Sequence, residues 1–261
     1  MNILFTEWAR PLEAFGAVHI ICIAVMLAAV VFGSLLGKKH RESPKADTLV
    51  TVIGLALVVL ELAKTLFNLK VDGTYDVANI PFQLCSTPLF LLPWIKLLKR
   101  GTVKESFLGY CAFYALCGGV FYFVKPTKLL VARYVFLSVQ SGMWHILLAF
   151  VGFYILFAYD CTRRLSTFCK AAGLFAAALV IAVSVNALCD ALCPEAGVNL
   201  FWITPHDPTF YPIISLIFKD PKPYPLFLVC YFVYLCIGAS LFFGIGQLEN
   251  LGKSFPFHKK H

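Results

Sequence analysis

The chain has 261 residues, of which 60% are hydrophobic and only 14% are charged, and its mean hydropathy is +0.80. Soluble domains carry about 45–50% apolar and about 25% charged residues, so this composition excludes an ordinary soluble domain. The formal net charge of +8 does not indicate nucleic-acid binding, because the basic residues lie in short clusters between long apolar runs, as in membrane proteins.

Seven apolar runs follow one another, and each is long enough to cross a bilayer as a helix, which takes about 20 residues. They cover residues 14–36, 48–69, 80–98, 105–124, 137–158, 166–189 and 224–246. No soluble domain and no internal repeat interrupts them. We therefore predict an all-α fold, a polytopic membrane helix bundle of about seven transmembrane helices that forms a single domain over residues 1–261.

The distribution of basic residues predicts the orientation of the bundle. Segments that would face one side carry about twice as many Lys and Arg residues as segments that would face the other. Because cytoplasmic segments are enriched in these residues, the N-terminus is predicted outside and the C-terminus inside (N-out, C-in). The long Pro-rich loop of residues 190–223 then lies outside. Short loops and the absence of tails favour the cell membrane of a bacterium.

Polar side chains occur inside five of the runs, and a rise of about 1.5 Å per residue places all of them in the outer half of the bilayer. They are His19, Glu61, Lys64, Gln83, Cys85, His145, Asn186 and, at the membrane boundary, Asp190. Polar groups inside a bilayer usually face the bundle interior or a water-filled cavity. We therefore expect one shared polar pocket that opens toward the outer leaflet and contacts membrane lipids.

These residues also have purely structural interpretations. Glu61 and Lys64 have the spacing of an ion pair within one helix. His19 and Asn186 suit hydrogen bonds between helices, and Cys85 can be a small apolar filler.

The outer loop contains the sequence WITPHDPTFYPII, in which His206 lies among aromatic residues. One interpretation is a lid over the pocket. The other, which we favour, is an interfacial loop anchored by its aromatic side chains. A His-Asp pair in one loop does not make a metal site, and the ten cysteines show no zinc-type spacing, so neither a metal nor a cofactor is predicted.

The combination of a thiol and an imidazole raises the hypothesis of an enzyme. A thiol becomes a nucleophile when a neighbouring base takes its proton, and Cys85 and His145 lie at similar depth on different runs. His19 or Glu61 would orient the imidazole, as the third member of a triad does. The substrate would be a lipid acyl ester. The alternatives are a membrane transporter or a protein that binds a lipid or small molecule, and a structural role without ligand.

Four segments resemble the YwaF-type integral membrane proteins: FGAVHIICIAV, IPFQLCSTPLFLLP, QSGMWHILL and NALCDALCPEAGVNLFWI. That group is related to the eukaryotic transmembrane protein 164 and, more distantly, to the androgen-induced lipid hydrolases. The resemblance implies acyl transfer on phospholipids by the cysteine of the LC motif, which is Cys85 here. It also matches His145 to a histidine of the distant hydrolases. The bacterial pattern usually reads L-H-L-C, and this chain departs from it with Gln83.

Overall fold

The computed structural model describes residues 5–8, 12–124, 133–206, 212–218 and 223–254. Within these ranges, six helices are long and apolar enough to cross a membrane. No β-strand occurs in the described ranges, where the only extended pairing is an isolated bridge between Glu7 and Tyr134. The prediction of an all-α polytopic bundle is therefore confirmed, and its orientation stays a prediction.

The six long helices follow the predicted runs closely. They are α1 (Ala17–Lys39), α2 (Pro44–Asp72), α3 (Thr102–Val124), α4 (Val135–Ala158), α5 (Leu165–Leu192) and α6 (Tyr224–Ser254). Helix α2 shows why the ends fall where they do. It begins with a proline, whose missing N–H is not needed in the first turn, and it ends at Gly73 in the left-handed conformation (φ 74°).

Helix α3 occupies the centre of the bundle. Its middle turn, Cys111–Ala115, is a π-helical turn in which all residues are buried. Helix α1 packs on the outside along α4, and glycines make this approach possible. A Cβ atom on Gly33 would lie 2.6 Å from the carbonyl oxygen of Phe150, and one on Gly37 would lie 2.5 Å from that of Tyr154. Such close backbone contact is typical of membrane helix pairs.

The third predicted run is not a continuous helix, and the expectation of a regular helix over residues 80–98 is wrong. Its only helical pieces are the one-turn α-helix Pro88–Leu91 and the 3₁₀ turn Leu92–Trp94, with turns on either side. Proline fixes φ and lacks a backbone donor, so Pro88 and Pro93 prevent a regular ladder of hydrogen bonds. We call residues 80–98 the broken crossing.

The broken crossing nevertheless returns the chain to the end of the bundle where α2 began. Lys104, in the first turn of α3, forms an ion pair of 2.6 Å with Asp47 in the first turn of α2. Arg100 pairs at 2.8 Å with Glu42, which precedes α2. Since α2 ends at Asp72, the segment between must traverse the bundle.

Irregular backbone at membrane depth is tolerated only where protein buries it and other groups satisfy its hydrogen bonds. In the broken crossing, the indole Nε1 of Trp144 donates to the carbonyl oxygen of Cys85 at 3.1 Å. The segment also packs directly on α2 at Gly54, where an added Cβ would lie 2.5 Å from the nitrogen of Pro93. Trp144 thus provides a hydrogen-bond donor for the irregular backbone, and Gly54 leaves space for it.

Part of the predicted outer loop also lies inside the bundle. Residues 198–204, which we call the inserted loop, include a 3₁₀ turn at Leu200–Trp202. Leu200, Phe201 and Ile203 are almost completely buried, and the ring centroid of Phe201 lies 6.2 Å from that of Phe175. Of the segment interpreted as an interfacial loop, residues 202–214, Ile203 and Thr204 are buried against the bundle, and the interfacial position of the segment stays a prediction. Asp207, Phe210 and Tyr211 lie outside the described residues.

Candidate functional site

Cys85 lies in the turn that precedes the short helix of the broken crossing. It is a half-buried, reduced thiol, and its backbone carbonyl accepts the hydrogen bond from Trp144 of α4. Its Cβ atom lies 3.8 Å from the position that a Cβ on Gly118 of α3 would take. The broken crossing therefore places this thiol between α3 and α4.

His145 follows Trp144 directly in α4 and is almost completely buried. Its Nδ1 lies 2.7 Å from the carbonyl oxygen of Ser141, one turn earlier in the same helix. A carbonyl oxygen only accepts, so Nδ1 carries the proton and donates it. In the neutral ring, Nε2 is then the nitrogen that accepts a proton. This is the tautomer that a general base requires at Nε2.

Tyr122 of α3 lies against His145, and it is not among the residues expected from the sequence. Its ring stacks on the imidazole of His145, with centroids 3.6 Å apart and planes 3° apart. Its hydroxyl donates to the Oγ of Ser141 at 2.9 Å. The thiols of Cys85 and Cys22 both lie within electrostatic range of that hydroxyl. Gly118 and Tyr122 are four residues apart, which places both on one face of α3 and is the only signal that sequence offers.

Gln83 connects the broken crossing to the inserted loop. Its Nε2 donates to the backbone carbonyl of Asn199 at 2.9 Å. Its Oε1 is buried and has no hydrogen-bond partner in the described part of the chain. Gln83 lies in a bend and Cys85 in the turn that follows it, rather than in a helix.

Asn186 of α5 fastens the inserted loop from the other side. Its Nδ2 donates to the carbonyl oxygen of Leu200 at 3.1 Å, and its Oδ1 accepts from the N–H of the same residue at 2.8 Å. The hydroxyl of Tyr231 in α6 donates to the carbonyl of Phe201 at 3.0 Å. Phe201 and Trp202 both adopt φ of 57°, a region that L-residues rarely occupy and that surrounding contacts must enforce.

His19 serves a different purpose from the one proposed for a triad. Its Nδ1 accepts from the N–H of Phe15 at 2.9 Å, and its Nε2 lies 2.9 Å from the carbonyl oxygen of Phe123. Because an N–H donates to Nδ1, the ring proton is on Nε2 and is donated to Phe123. Both ring nitrogens are thus used to hold the start of α1 against the end of α3, and neither orients His145.

The other residues that were predicted to line the pocket make their described contacts with groups other than Cys85. Glu61 and Lys64 form an ion pair of 2.7 Å with each other on α2. Asp190 is half-buried in the last turn of α5, and His206 is exposed at the end of the described loop. The structure thus divides the set into separate local groups, and a single cavity shared by all of them stays a prediction.

Metal binding finds no support in the described ranges, which contain no group of three or more His, Cys, Asp or Glu residues that could hold a metal ion. The polar side chains on and next to the elements that flank Cys85 are instead those of Gln83, Tyr122, Ser141 and His145. These groups donate and accept hydrogen bonds.

Comparison with known protein families gives one match, which covers most of the chain. The model of the TMEM164 family matches residues 14–243. The matched range includes Cys85, Tyr122, His145 and the inserted loop. Comparison with curated proteins and with solved structures gave no significant match.

Proposed function

The chain belongs to the TMEM164 family, and from that premise we propose that it is a lipid acyltransferase with Cys85 as its nucleophile and His145 as its base. The observation that carries this proposal is the hydrogen bond of 3.1 Å from the indole of Trp144, the residue before His145 in α4, to the backbone carbonyl of Cys85. It supports placing the thiol beside the helix that carries an imidazole of suitable tautomer.

The surroundings of Cys85 support a nucleophile more than a filler. A cysteine that only fills space would sit as well in a regular helix. This one lies in a turn of the broken crossing, and its carbonyl is held by an indole N–H from the helix that carries His145. Rigid positioning of the nucleophile relative to its base is what lowers the entropic part of an acyl-transfer barrier.

The contacts of His145 support the role of a base. The Ser141 carbonyl fixes the proton on Nδ1 and so leaves Nε2 to accept one. Stacking on Tyr122 restricts the rotation of the ring. In this proposal the Ser141 carbonyl orients the imidazole, the role expected from the sequence for His19 or Glu61.

The reaction follows from these roles. The Cys85 thiol transfers its proton to Nε2 of His145, and the sulfur attacks the carbonyl carbon of a phospholipid ester. An S–C bond forms, the ester C–O bond breaks, and the leaving lysolipid oxygen takes the proton from the imidazolium. A second lysolipid hydroxyl then gives its proton to Nε2 and attacks the thioester, a new ester O–C bond forms, the S–C bond breaks, and the imidazolium returns its proton to the sulfur. Water in place of that hydroxyl would give hydrolysis.

Gln83 supplies a group for recognition of the acceptor. Its Oε1 is a buried acceptor without a hydrogen-bond partner in the described ranges, two residues from Cys85. Leaving such a group unpaired costs about 1–3 kcal/mol, so a substrate hydroxyl that donates to it would gain affinity. In this proposal, Gln83, which replaces the histidine of the L-H-L-C pattern, recognises the substrate. His145 supplies the base.

The experiment is an acyl-transfer assay on protein purified in detergent micelles, with a phospholipid donor that carries an alkyne-tagged acyl chain and a lysophospholipid acceptor. We expect wild-type protein to transfer the tag, and Cys85→Ala to lose the activity. Cys22→Ser is the matched control, because its thiol also lies near Tyr122 but has no role in the reaction. His145→Gln is expected to lower kcat by about 10²- to 10⁴-fold.

Two results would contradict the proposal. Transfer that survives in Cys85→Ala excludes this thiol as the nucleophile. Equal loss in Cys22→Ser and Cys85→Ala, with normal folding of both, would mean that the region is needed for structure rather than for chemistry.

One observation favours a second candidate, a transporter or binding protein for a small or lipidic ligand. The broken crossing and the inserted loop meet at the hydrogen bond between Gln83 and Asn199, and irregular backbone at membrane depth commonly lines substrate sites in transporters. A ligand whose binding is unchanged in Cys85→Ala but lost in Gln83→Leu would favour this candidate over the enzyme.

A further inference from the structure

Two neighbouring cysteines at the end of α5 take no part in the proposed acyl transfer. Cys189 lies in the last turn of the helix, and Cys193 is its C-cap residue. Both thiols are reduced and half-buried. The chemistry open to such a pair depends on how close the two sulfur atoms lie.

The last turn of α5 brings the two thiols into contact. The N–H of Cys193 donates to the carbonyl oxygen of Cys189 at 2.8 Å, which closes the turn, and the two side chains form a hydrogen bond with each other. In a regular helix, residues four apart have Cβ atoms about 5–6 Å from one another, farther than the about 3.5–4.5 Å of a disulfide. Close approach of the thiols therefore needs a departure from helical geometry.

Cys193 provides that departure. Its φ of −150° and ψ of 64° lie outside the helical region, where φ is about −63°. A change in φ rotates the Cβ atom about the N–Cα bond, so this thiol does not take the direction that a helical residue would give it. Pro194 follows and has no N–H with which to continue the helix. Only this exit from the helix has to adjust for the sulfur atoms to reach a bond length of about 2.05 Å.

The pair lies where a water-soluble reagent can reach it. Asp190 is half-buried between the two cysteines, and Glu195, shortly after Cys193, is exposed. Ionisable side chains near the end of a membrane helix lie toward the water phase, and a thiol reacts as its thiolate, which forms most readily there. In the predicted N-out orientation this end of α5 faces the outside, where disulfides persist.

A metal site is the other use of two neighbouring thiols. Zinc takes three or four protein ligands, and the described ranges contain no group of three or more His, Cys, Asp or Glu residues that could hold an ion. The arrangement at the end of α5 accordingly suits a bond between the two sulfur atoms.

We propose that Cys189 and Cys193 are a redox site that forms an intramolecular disulfide by exchange with a disulfide oxidant. The thiolate of one cysteine attacks a sulfur of the oxidant, a mixed disulfide forms, and one thiolate of the oxidant leaves. The other cysteine attacks the protein sulfur of the mixed disulfide, the Sγ–Sγ bond forms, and the second thiolate leaves. The two cysteines lose two electrons and two protons, and the oxidant becomes two thiols.

This disulfide fixes the end of α5 from which the inserted loop departs. Only the 3₁₀ turn Pro194–Ala196 and Gly197 separate Cys193 from that loop. A covalent link across the last turn keeps the N–H of Cys193 paired with the carbonyl oxygen of Cys189. The site is independent of Cys85.

The test uses the purified full chain in detergent micelles, incubated with mixtures of reduced and oxidised glutathione and quenched in acid. Free thiols are then blocked with N-ethylmaleimide, and tryptic peptides are measured by mass spectrometry. Cleavage after Lys170 and Lys219 gives residues 171–219, in which Cys189 and Cys193 are the only cysteines. Cys169, exposed on the same helix, falls on the preceding peptide and is the matched control. Cys193→Ser removes one thiol of the pair and keeps nearly the same volume.

We expect the peptide 171–219 of wild type to lose two hydrogens and carry no maleimide, and dithiothreitol to restore two alkylation sites. Oxidation of the pair is expected to exceed attachment of glutathione to Cys169 by at least about tenfold, because its second step is intramolecular. Cys193→Ser is expected to keep glutathione on Cys189, since no second thiol displaces it. In the oxidised wild type, the Cys193 amide should exchange its hydrogen more slowly than in the reduced protein.

Three results would overturn the proposal. They are alkylation of both thiols to the same extent as Cys169 at every glutathione ratio, a glutathione adduct in wild type as stable as that in Cys193→Ser, and a disulfide that joins two chains. Unchanged exchange at the Cys193 amide in the oxidised protein would overturn its second part, that the disulfide fixes the last turn of α5.

Discussion

Replacing Asn186 with Leu is expected to release the inserted loop from the bundle. Leucine keeps approximately the volume of the side chain, so the change tests the hydrogen bonds rather than the packing. It removes both the donor to the Leu200 carbonyl and the acceptor of the Leu200 N–H. Both backbone groups lie in a residue that is 1% exposed, so water does not replace the lost partner.

The magnitude follows from these two groups. A buried backbone group that loses its partner costs about 1–3 kcal/mol, and side-chain hydrogen bonds in membrane proteins are worth about 0.6 kcal/mol on average and at most about 1.7 kcal/mol. For two groups in one loop we expect a loss of about 2–4 kcal/mol. In a chain of this size, that lowers the melting temperature by roughly 4–16 °C.

The assay combines thermal unfolding in detergent with hydrogen exchange of the Leu200 amide. Ser184→Ala is the control, because Ser184 lies on the same helix, is exposed and bonds only its own helix at Val180. We expect faster exchange at Leu200 and a lower melting temperature in Asn186→Leu alone. Unchanged exchange at Leu200 would refute the conclusion that Asn186 holds the loop inside the bundle.

Three further predictions concern packing, charge and ionisation. Gly54→Ala is expected to destabilise the protein by about 1–3 kcal/mol through overlap with the broken crossing, whereas Gly173→Ala, which meets nothing within 4 Å, should not lower the melting temperature. Lys104→Met is expected to cost about 3–5 kcal/mol because it leaves the Asp47 carboxylate without its cation; adding Asp47→Asn should recover part of that loss, and an additive loss in the double variant would contradict this. Burial, together with Glu105 nearby, raises the pKa of the Cys161 thiol to about 12. Its alkylation, followed by mass spectrometry, should therefore be slow at pH 8 and keep rising up to about pH 12, and a plateau by pH 9 would be inconsistent with that pKa.

The sequence predicts most of the helices well because apolar length and basic flanks are local signals. The predicted run 166–189 became helix Leu165–Leu192, and the run 137–158 became Val135–Ala158. The length of an apolar run, however, indicates that the segment is buried and does not indicate its backbone conformation. The broken crossing is as apolar as a helix, and the two prolines within it were the available sign that no regular helix would form.

The inserted loop could not be predicted from local sequence. The residues Asn199–Thr204 are too few to register as a crossing, and their position depends on partners far along the chain. Asn186, Tyr231 and Gln83 each hold the loop by a hydrogen bond. None of these pairings leaves a periodic pattern in a single sequence.

The candidate site stays a prediction, because the sequence gives only the depth of its residues. Depth alone grouped the polar side chains of five runs, but depth does not specify which face of a helix a side chain takes. Tyr122 was missed because a tyrosine in an apolar run resembles core packing, and its role is visible only from the ring of His145 stacked on it. The network around Lys104 was counted only as evidence for orientation, since its acidic partners are distant in sequence.

The most direct test of the central claim is to trap the acyl-enzyme. Wild-type protein is mixed with a phospholipid donor that carries an isotope-labelled acyl chain, without lysolipid acceptor, then quenched in acid and digested for peptide mass spectrometry. We predict one acyl group on the peptide that contains Cys85, removable by neutral hydroxylamine as a thioester is, and formed more slowly in His145→Gln, which lacks the base for the thiol proton. An acyl group on another cysteine, or none on any residue while acyl transfer proceeds, would contradict the account.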